Sequence, residues 1–265
     1  YGRRAAQVSA FKVTMLASGS KGNSALISTG KQNFLIDMGI SCRMLTSRLG
    51  EVGLCVEDLD AIFLTHEHTD HVKGLGTFTK KHAVPIYSSE LTWRAILTKD
   101  PKIERRNCRI IGGALRCGEV EVNSFEIPHD AVDPHGYVLK CNGSKCAYIT
   151  DTGFVTEAVR QAAEDADTLI LEANHDVEML KNGIYPPHLK QRILSTRGHL
   201  SNESAGYLLT NLPRIPENII LAHLSQENNL PRLALDTVRN ILSEASLFND
   251  ARIFVAAQDK IVKDY

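Results

Sequence analysis

The chain has 265 residues, 43% of them hydrophobic and 23% charged, with 30 basic and 31 acidic side chains and a formal charge of −1. These values exclude a disordered, collagen-like or coiled-coil chain and suit one large α/β domain. The near-zero balance gives no argument for nucleic acid or an acidic membrane surface, and no run of about 18 apolar residues is long enough to span a bilayer.

Residues 1–10 begin Tyr1-Gly2-Arg3-Arg4 and end Ser9-Ala10 with no apolar stretch between, which reads as a tag or processing remnant outside the fold. Residues 11–265 read as a single domain, since no composition break, repeat or low-complexity linker divides them. Strand patterns cover 11–16, 24–28 and 33–37, separated by Gly/Ser/Asn turns. A helix follows over 41–50, stopping at Gly50, and then a short apolar strand over 61–65. Helices over 72–82 and 89–97 flank a strand at 84–87. The second half opens with a strand over 119–127 and a hairpin, 136–141 and 145–150, about Asn142-Gly143. Helices at 155–163, 201–211 and 232–243 then alternate with strands at 168–171, 219–222 and 252–256. This order predicts an α/β fold of two sheets packed together with helices outside.

Six cysteines (Cys42, Cys55, Cys108, Cys117, Cys141, Cys146) form no C-x-x-C and read as the reduced thiols of a cytoplasmic protein. Cys141 and Cys146 flank the hairpin turn and are the pair positioned for a disulfide in an oxidising compartment.

The ten histidines are the informative residues, because three fall in Thr65-His66-Glu67-His68-Thr69-Asp70-His71. Imidazole and carboxylate are good ligands for divalent transition metals. His66 and His68, two apart in an extended segment, point the same way, and Asp70 and His71 follow after a turn, so one loop can serve two adjacent cations. Further ligands must come from elsewhere. His129, Asp151 and His223 each follow a predicted strand, and strand ends at one sheet edge are where sites gather. His135 is a rival to His129, whereas His82 and His188 read as surface residues.

This pattern, H-x-H-x-D-H after an apolar strand and then H, D and H after three later strands, resembles the metallo-β-lactamase superfamily over nearly the whole chain from Phe11, with Asp37-Met38-Gly39 matching its early D-x-G. The resemblance implies a four-layer αβ/βα sandwich with two mixed sheets and a dinuclear site at the sheet edge. His66, His68 and His129 would hold one metal, Asp70, His71 and His223 the other, and Asp151 would bridge both. The segments 16–24, Pro128-His129-Asp130-Ala131, Leu171-Glu172-Ala173-Asn174-His175-Asp176, Gly198-His199-Leu200-Ser201 and Ala222-His223-Leu224-Ser225 resemble the YycJ/WalJ group within it. That implies a metal-dependent nuclease, a 5′-to-3′ exodeoxyribonuclease of DNA repair acting on duplex DNA with a 5′ end, with two zinc or manganese ions (iron being a further option).

Phosphodiester hydrolysis needs an activated water, charge neutralisation and a proton for the leaving oxygen. The expected nucleophile is a metal-bridging hydroxide oriented by Asp70 and Asp151. His199 is expected to contact the phosphate or protonate the leaving group, and His175 to line the substrate side or support a ligand. Ser201 and Asn202 open a helix whose free N–H groups suit an anion or a plain cap, and Lys190 and Arg192 are candidates to track a nucleic-acid backbone. The Ser18–Asn23 loop is open to two readings, a phosphate cradle or a turn between strands. Two competing functions use the same ligands: a small-molecule metallohydrolase (phosphodiesterase, thioesterase or lactonase) and a non-catalytic DNA-repair module that keeps metal for structure. Protein partners and oligomeric state are not legible in these residues.

Overall fold

Alternation of apolar side chains builds the first sheet. β1 (Lys12–Ala17), β2 (Ser24–Ser28), β3 (Asn33–Ile36) and, after α1 (Cys42–Glu51), β4 (Ala61–Phe63) carry it. Val13, Ile27, Phe34 and Phe63 face one side and Leu26, Leu35 and Ile62 the other, as a two-residue period requires. The computed structural model describes residues 10–247 and 251–263, so the reading of residues 1–9 lies outside the described residues. Ala10 does pack on the central core and donates its N–H to Ser144 Oγ at 3.0 Å.

α2 (Thr69–Val72), α3 (Leu75–Lys81), β5 (Ile86–Ser88), α4 (Glu90–Lys99) and β6 (Cys108–Ile110) complete this half. β1 to β3 pair antiparallel and β3 to β6 parallel. The second sheet begins as an antiparallel meander of β7 (Ala114–Cys117), β8 (Val120–Glu126), β9 (His135–Cys141) and β10 (Ser144–Ile149). Then come α5 (Glu157–Ala163), β11 (Thr168–Glu172), α6 (Val177–Asn182), α7 (Pro187–Ile193), α8 (Asn202–Thr210), β12 (Asn218–Ala222), α9 (Pro231–Glu244) and β13 (Arg252–Val255). β10 to β13 run parallel, and β14 (Val262–Lys263) returns to the edge of β1.

Three hydrophobic cores separate four layers. One joins α1, α3 and α4 to the first sheet. A central one interleaves Phe34 and Phe63 with Tyr137, Tyr148, Ile170 and Ile220 of the second sheet. The third packs α5, α8 and α9 on its far face. The fold is therefore the four-layer αβ/βα sandwich, with two seven-stranded mixed sheets. No described helix is long and apolar enough to cross a membrane.

Two sequence expectations need correction, and five short elements have no sequence pattern that marks them. The helix expected over 72–82 is two, broken at Gly74. The carbonyl that would accept its N–H, that of Asp70, is taken by the Asn23 N–H at 2.7 Å, and Gly74 donates instead to Met38 O at 3.0 Å. β6, β7, β14, α6 and α7 carry weak patterns because they are short and mostly exposed: α6 buries only Leu180 and α7 only Ile193. The Cys141–Cys146 disulfide does not form. Cys141 stands opposite Ser144 and Cys146 opposite Leu139, so the two are diagonal neighbours, beyond bridging reach.

Candidate metal centre

The strands of both sheets deliver charged residues to one edge. Asp37 follows β3, residues 65–71 follow β4, His129 follows β8, Asp151 follows β10, Glu172 ends β11 and His223 follows β12. Asp37, Asp151 and His223 all take left-handed backbone angles, with φ of 61°, 57° and 56°. Non-glycine residues held there cost roughly 1–3 kcal/mol each, and such strain concentrates at functional sites.

The side chains meet as two triads, each with ligand atoms within 4.8 Å of one another: His66, His68 and His129, and Asp70, His71 and His223. Asp151 stands between them, grouping with His66 and His71 on one side and with Glu172, His199 and His223 on the other. Its Oδ2 lies 3.3 Å from His71 Nε2 and its Oδ1 3.4 Å from His223 Nδ1. The rings of His66, His68 and His129 stand 4.5–5.0 Å apart, edge to face.

Two buried carboxylates behind the triads fix which ring nitrogens face inward. Asp37 Oδ2 takes His71 Nδ1 at 2.7 Å, while Oδ1 accepts the Thr65 N–H at 2.8 Å. Glu172 Oε1 takes both His199 Nδ1 (2.8 Å) and His223 Nδ1 (2.9 Å), and Oε2 accepts the N–H groups of Thr152 (2.8 Å) and Leu200 (3.1 Å). An ionised carboxylate only accepts, so these Nδ1 atoms carry the protons, and Nε2 of His71, His223 and His199 is left for the side away from those carboxylates. His129 Nδ1 is likewise engaged by Gly198 O at 3.1 Å, while its Nε2 faces His68 Nδ1 at 3.3 Å.

The chemistry of these donors fits divalent cations. Buried polar atoms are normally hydrogen-bonded, yet His66 Nε2, His223 Nε2 and Asp151 Oδ2 are buried with no such partner and converge at one edge. Burial and the neighbouring imidazoles keep His66 neutral, well below its ordinary pKa, and burial also lowers His129. Burial pulls His223 down too, but the carboxylates of Asp151, Asp70 and Glu172 outweigh it and raise it to about 10. Burial raises Asp70 and Asp151, and the surrounding histidines outweigh it, holding both carboxylates below their usual range. The result is a partly desolvated anionic cup lined with neutral or displaceable imidazoles.

A cavity of about 230 Å³ opens over this cup, lined by His68, Asp70, Asp151, His199 and His223 together with Tyr185, Leu189 and Arg192. Of the substrate candidates, Arg192 therefore lines the cavity, whereas three others point elsewhere. Lys190 donates to Lys181 O at 2.7 Å. Ser201 caps α8 by accepting the Ser204 N–H at 3.1 Å, and Asn202 is buried in a side-chain pair with Asn229 at 2.8 and 3.0 Å. His135 is tied to Asp133 O at 3.0 Å and is not in the cluster.

His175 is not in the cavity wall. It is 1% exposed, and neither ring nitrogen has a hydrogen-bond partner. Burial lowers its pKa to about 4, against a smaller upward pull from Glu172. As pH falls below 6.5 the unfolded chain takes the proton first, so the stability present above 6.5 is lost as pH falls towards 4. Chelator-treated wild type should therefore lose on the order of 2–3 kcal/mol more than His175→Gln between pH 7 and 4.5 in urea unfolding. Equal losses would mean that His175 is solvated.

The Ser18–Asn23 loop braces the cluster. Asn23 Nδ2 reaches Asp70 Oδ2 and His71 Nε2, both at 3.2 Å, and Ser18 Oγ accepts the His223 N–H at 2.7 Å. Gly39 is pressed into the same joint: a Cβ there would lie 1.5 Å from Asp70 O and 2.6 Å from Asn23 N. Gly39→Ala should cost about 3 kcal/mol or more by thermal unfolding and loosen metal binding. Gly50→Ala, with nothing within 4 Å in α1, should be neutral or stabilising by up to about 1 kcal/mol. Equal effects of the two would overturn this account.

Comparison with known proteins agrees with this geometry. Residues 32–224 match the family described as beta-lactamase superfamily domain. The chain is 41% identical over 242 residues to the exodeoxyribonuclease WalJ of Streptococcus pneumoniae serotype 2, covering 89% of this chain and 90% of that one. The chain belongs to the metallo-β-lactamase superfamily, in its WalJ/YycJ branch. A second member of that branch, the exodeoxyribonuclease YycJ of Bacillus anthracis, is 38% identical over 234 residues, 87% of this chain and 89% of that protein. The superfamily fold is also seen in the crystal structure of YhfI from Bacillus subtilis, with a TM-score of 0.71 at 19% identity over 96% of this chain and 99% of that one. Asp37 and Glu172 support this site although the sequence motifs that contain them assign neither a role. The signal at Glu172 is a carboxylate ending the buried strand Thr168–Glu172 after three apolar residues, a position where an acid needs several partners.

Proposed function

We propose that the protein is a dinuclear-metal phosphodiesterase that removes nucleotides from the 5′ end of duplex DNA in DNA repair. The observation that carries this reading is the near full-length match, at about 40% identity, to two proteins named exodeoxyribonucleases. In it, His66, His68 and His129 would hold one cation and Asp70, His71 and His223 the other, with Asp151 grouped with residues of both triads. Two cations of the zinc or manganese kind would supply an activated water near neutral pH and charge neutralisation for the phosphate oxygens.

The chain's own groups do the rest. Asp70 and Asp151 offer acceptors for the protons of the attacking water. His199, its Nδ1 proton engaged by Glu172, presents Nε2 to the cavity and gives a proton to the leaving oxygen. Glu172 keeps the Nδ1 side of the ring engaged, so the proton His199 gives to the leaving oxygen is one taken up at Nε2. Leu189 and Tyr185 also line the cavity.

The test is chelation, reconstitution with Zn²⁺ or Mn²⁺, and assay on duplex DNA labelled at either end, beside bis(p-nitrophenyl) phosphate, nitrocefin and a thioester. Stepwise metal-dependent loss of 5′ nucleotides is expected. Turnover of nitrocefin or the thioester with intact DNA would overturn the reading in favour of a small-molecule hydrolase. Metal binding without turnover of any substrate would favour a non-catalytic module.

A further inference from the structure

We infer that Arg192 grips the phosphate of the bound strand and that Asp130 holds its guanidinium in position to do so; the inference rests on the phosphodiesterase reading above. Among the described residues that line the cavity over the metal cluster, Arg192 is the one lysine or arginine. It projects from the last turn of α7 and shares the cavity lining with His68, Asp70 and Asp151.

Two of its five N–H donors are engaged. Nε and Nη2 donate to the two oxygens of Asp130, the second at 3.0 Å, while Nη1 donates no hydrogen bond among the described residues. A guanidinium anchored along one edge keeps donors in a fixed plane for a phosphate oxygen, which an ammonium on a flexible stem cannot do. Lys190, its near neighbour on α7, is spent on the Lys181 carbonyl.

The anchor is itself fixed to the metal cluster. Asp130 follows His129 directly, and its Oδ1 lies 3.4 Å from His129 Nε2. The loop that carries both is tied to the histidine-rich segment through Glu67, whose carboxylate oxygens accept the Val132 N–H at 3.1 and 3.3 Å. Arg192 is thus registered against the triad of His66, His68 and His129 rather than against its own short helix. Stability does not account for the arrangement: Arg192 is 49% and Asp130 30% exposed at the side chain, and ion pairs this exposed contribute little.

The test compares wild type, Arg192→Ala, Arg192→Lys and Asp130→Asn as metal-loaded proteins on 5′-labelled duplex DNA and on bis(p-nitrophenyl) phosphate, with metal content measured for each. Arg192→Ala should keep its metal, raise KM for DNA at least about tenfold, and lower the slope of log affinity against log salt by about 0.9, the share of one phosphate contact. Arg192→Lys should restore the salt slope but not KM, because the charge returns without the fork. Asp130→Asn should raise KM severalfold with kcat retained.

Unchanged KM and salt slope in Arg192→Ala would overturn the assignment. So would loss of metal from that variant, which would make the pair a structural strap. A KM below wild type in Asp130→Asn would overturn the positioning role, since Asp130 would then be only a competitor for the phosphate. If wild type cleaves the small diester but not DNA, it is the nuclease reading that falls, and Arg192 is then judged by the KM for the diester.

Discussion

Asp151→Asn should lower the rate of DNA hydrolysis by about a thousandfold or more and reduce bound metal from two ions per chain to one or fewer. Asp151 is 2% exposed and is the carboxylate that groups with residues of both triads. Asparagine keeps the size and one oxygen but removes the charge, leaving Asp70 as the single carboxylate in the two triads. A two-cation centre contributes several kcal/mol of charge stabilisation, and about 4 kcal/mol corresponds to three orders of magnitude in rate. The fold should survive, because the Thr152 N–H donates to Glu172 and the Gly153 N–H to Pro128 O, which hold the loop without the Asp151 side chain. Metal analysis beside single-turnover rates checks the result. A variant with two ions and more than a tenth of wild-type activity would remove Asp151 from the bridging position.

The parts of this molecule legible in the sequence are those governed by local periodicity and by residue chemistry. The unbroken apolar runs Phe34-Leu35-Ile36 and Ala61-Ile62-Phe63 point to strands buried on both faces, and a buried strand end is where a cluster such as His66-Glu67-His68-Thr69-Asp70-His71 can be positioned. The superfamily pattern then located His129, Asp151 and His223 across gaps of tens of residues. What was not legible depends on tertiary contacts. The break at Gly74 follows from the Asn23 and Met38 backbones competing for helix hydrogen bonds. α6 and α7 each bury a single side chain, so no amphipathic pattern marks them, yet α7 supplies the wall of the cavity.

The same distinction separates ligands from their supports. Histidine and aspartate at metal-ligand spacing are recognisable, whereas Asn23, Glu67 and Glu172 act through partners far away in the chain. Asn23 meets Asp70 and His71 nearly 50 positions on, and Glu67 meets Val132. Serine and lysine near the site were misleading for the opposite reason. Ser201 and Lys190 have suitable chemistry at a suitable position in sequence, but local backbone groups satisfy both. Each case turned on which partner wins the hydrogen bond, and that depends on geometry.

Glu172→Gln is expected to damage catalysis and metal binding together, which separates it from any single ligand change. The carboxylate is fully buried and accepts four N–H groups, from His199, His223, Thr152 and Leu200. Glutamine offers one acceptor oxygen and places an NH₂ against two of those donors, so two bonds are lost, either both imidazole bonds or both backbone bonds that hold the Thr152 and Leu200 segments. Removing one partner of a buried charged network costs about 3–5 kcal/mol, and loss of support behind a metal-binding histidine costs about 10–100-fold in metal affinity. Misplacing the proton donor His199 adds about 10²–10⁴-fold on a substrate whose leaving group needs the proton. His199→Ala provides the contrast. It should keep two ions and lose rate on DNA, but change little on bis(p-nitrophenyl) phosphate, whose leaving group departs without a proton. Glu172→Gln should lose rate on both, because the His223 side of the centre fails as well. Since Glu172 acts on the donor through His199, the double variant should be no slower on DNA than Glu172→Gln alone by more than a small factor. A Glu172→Gln protein with two ions and wild-type rate on the small diester would reduce Glu172 to a support for His199 only.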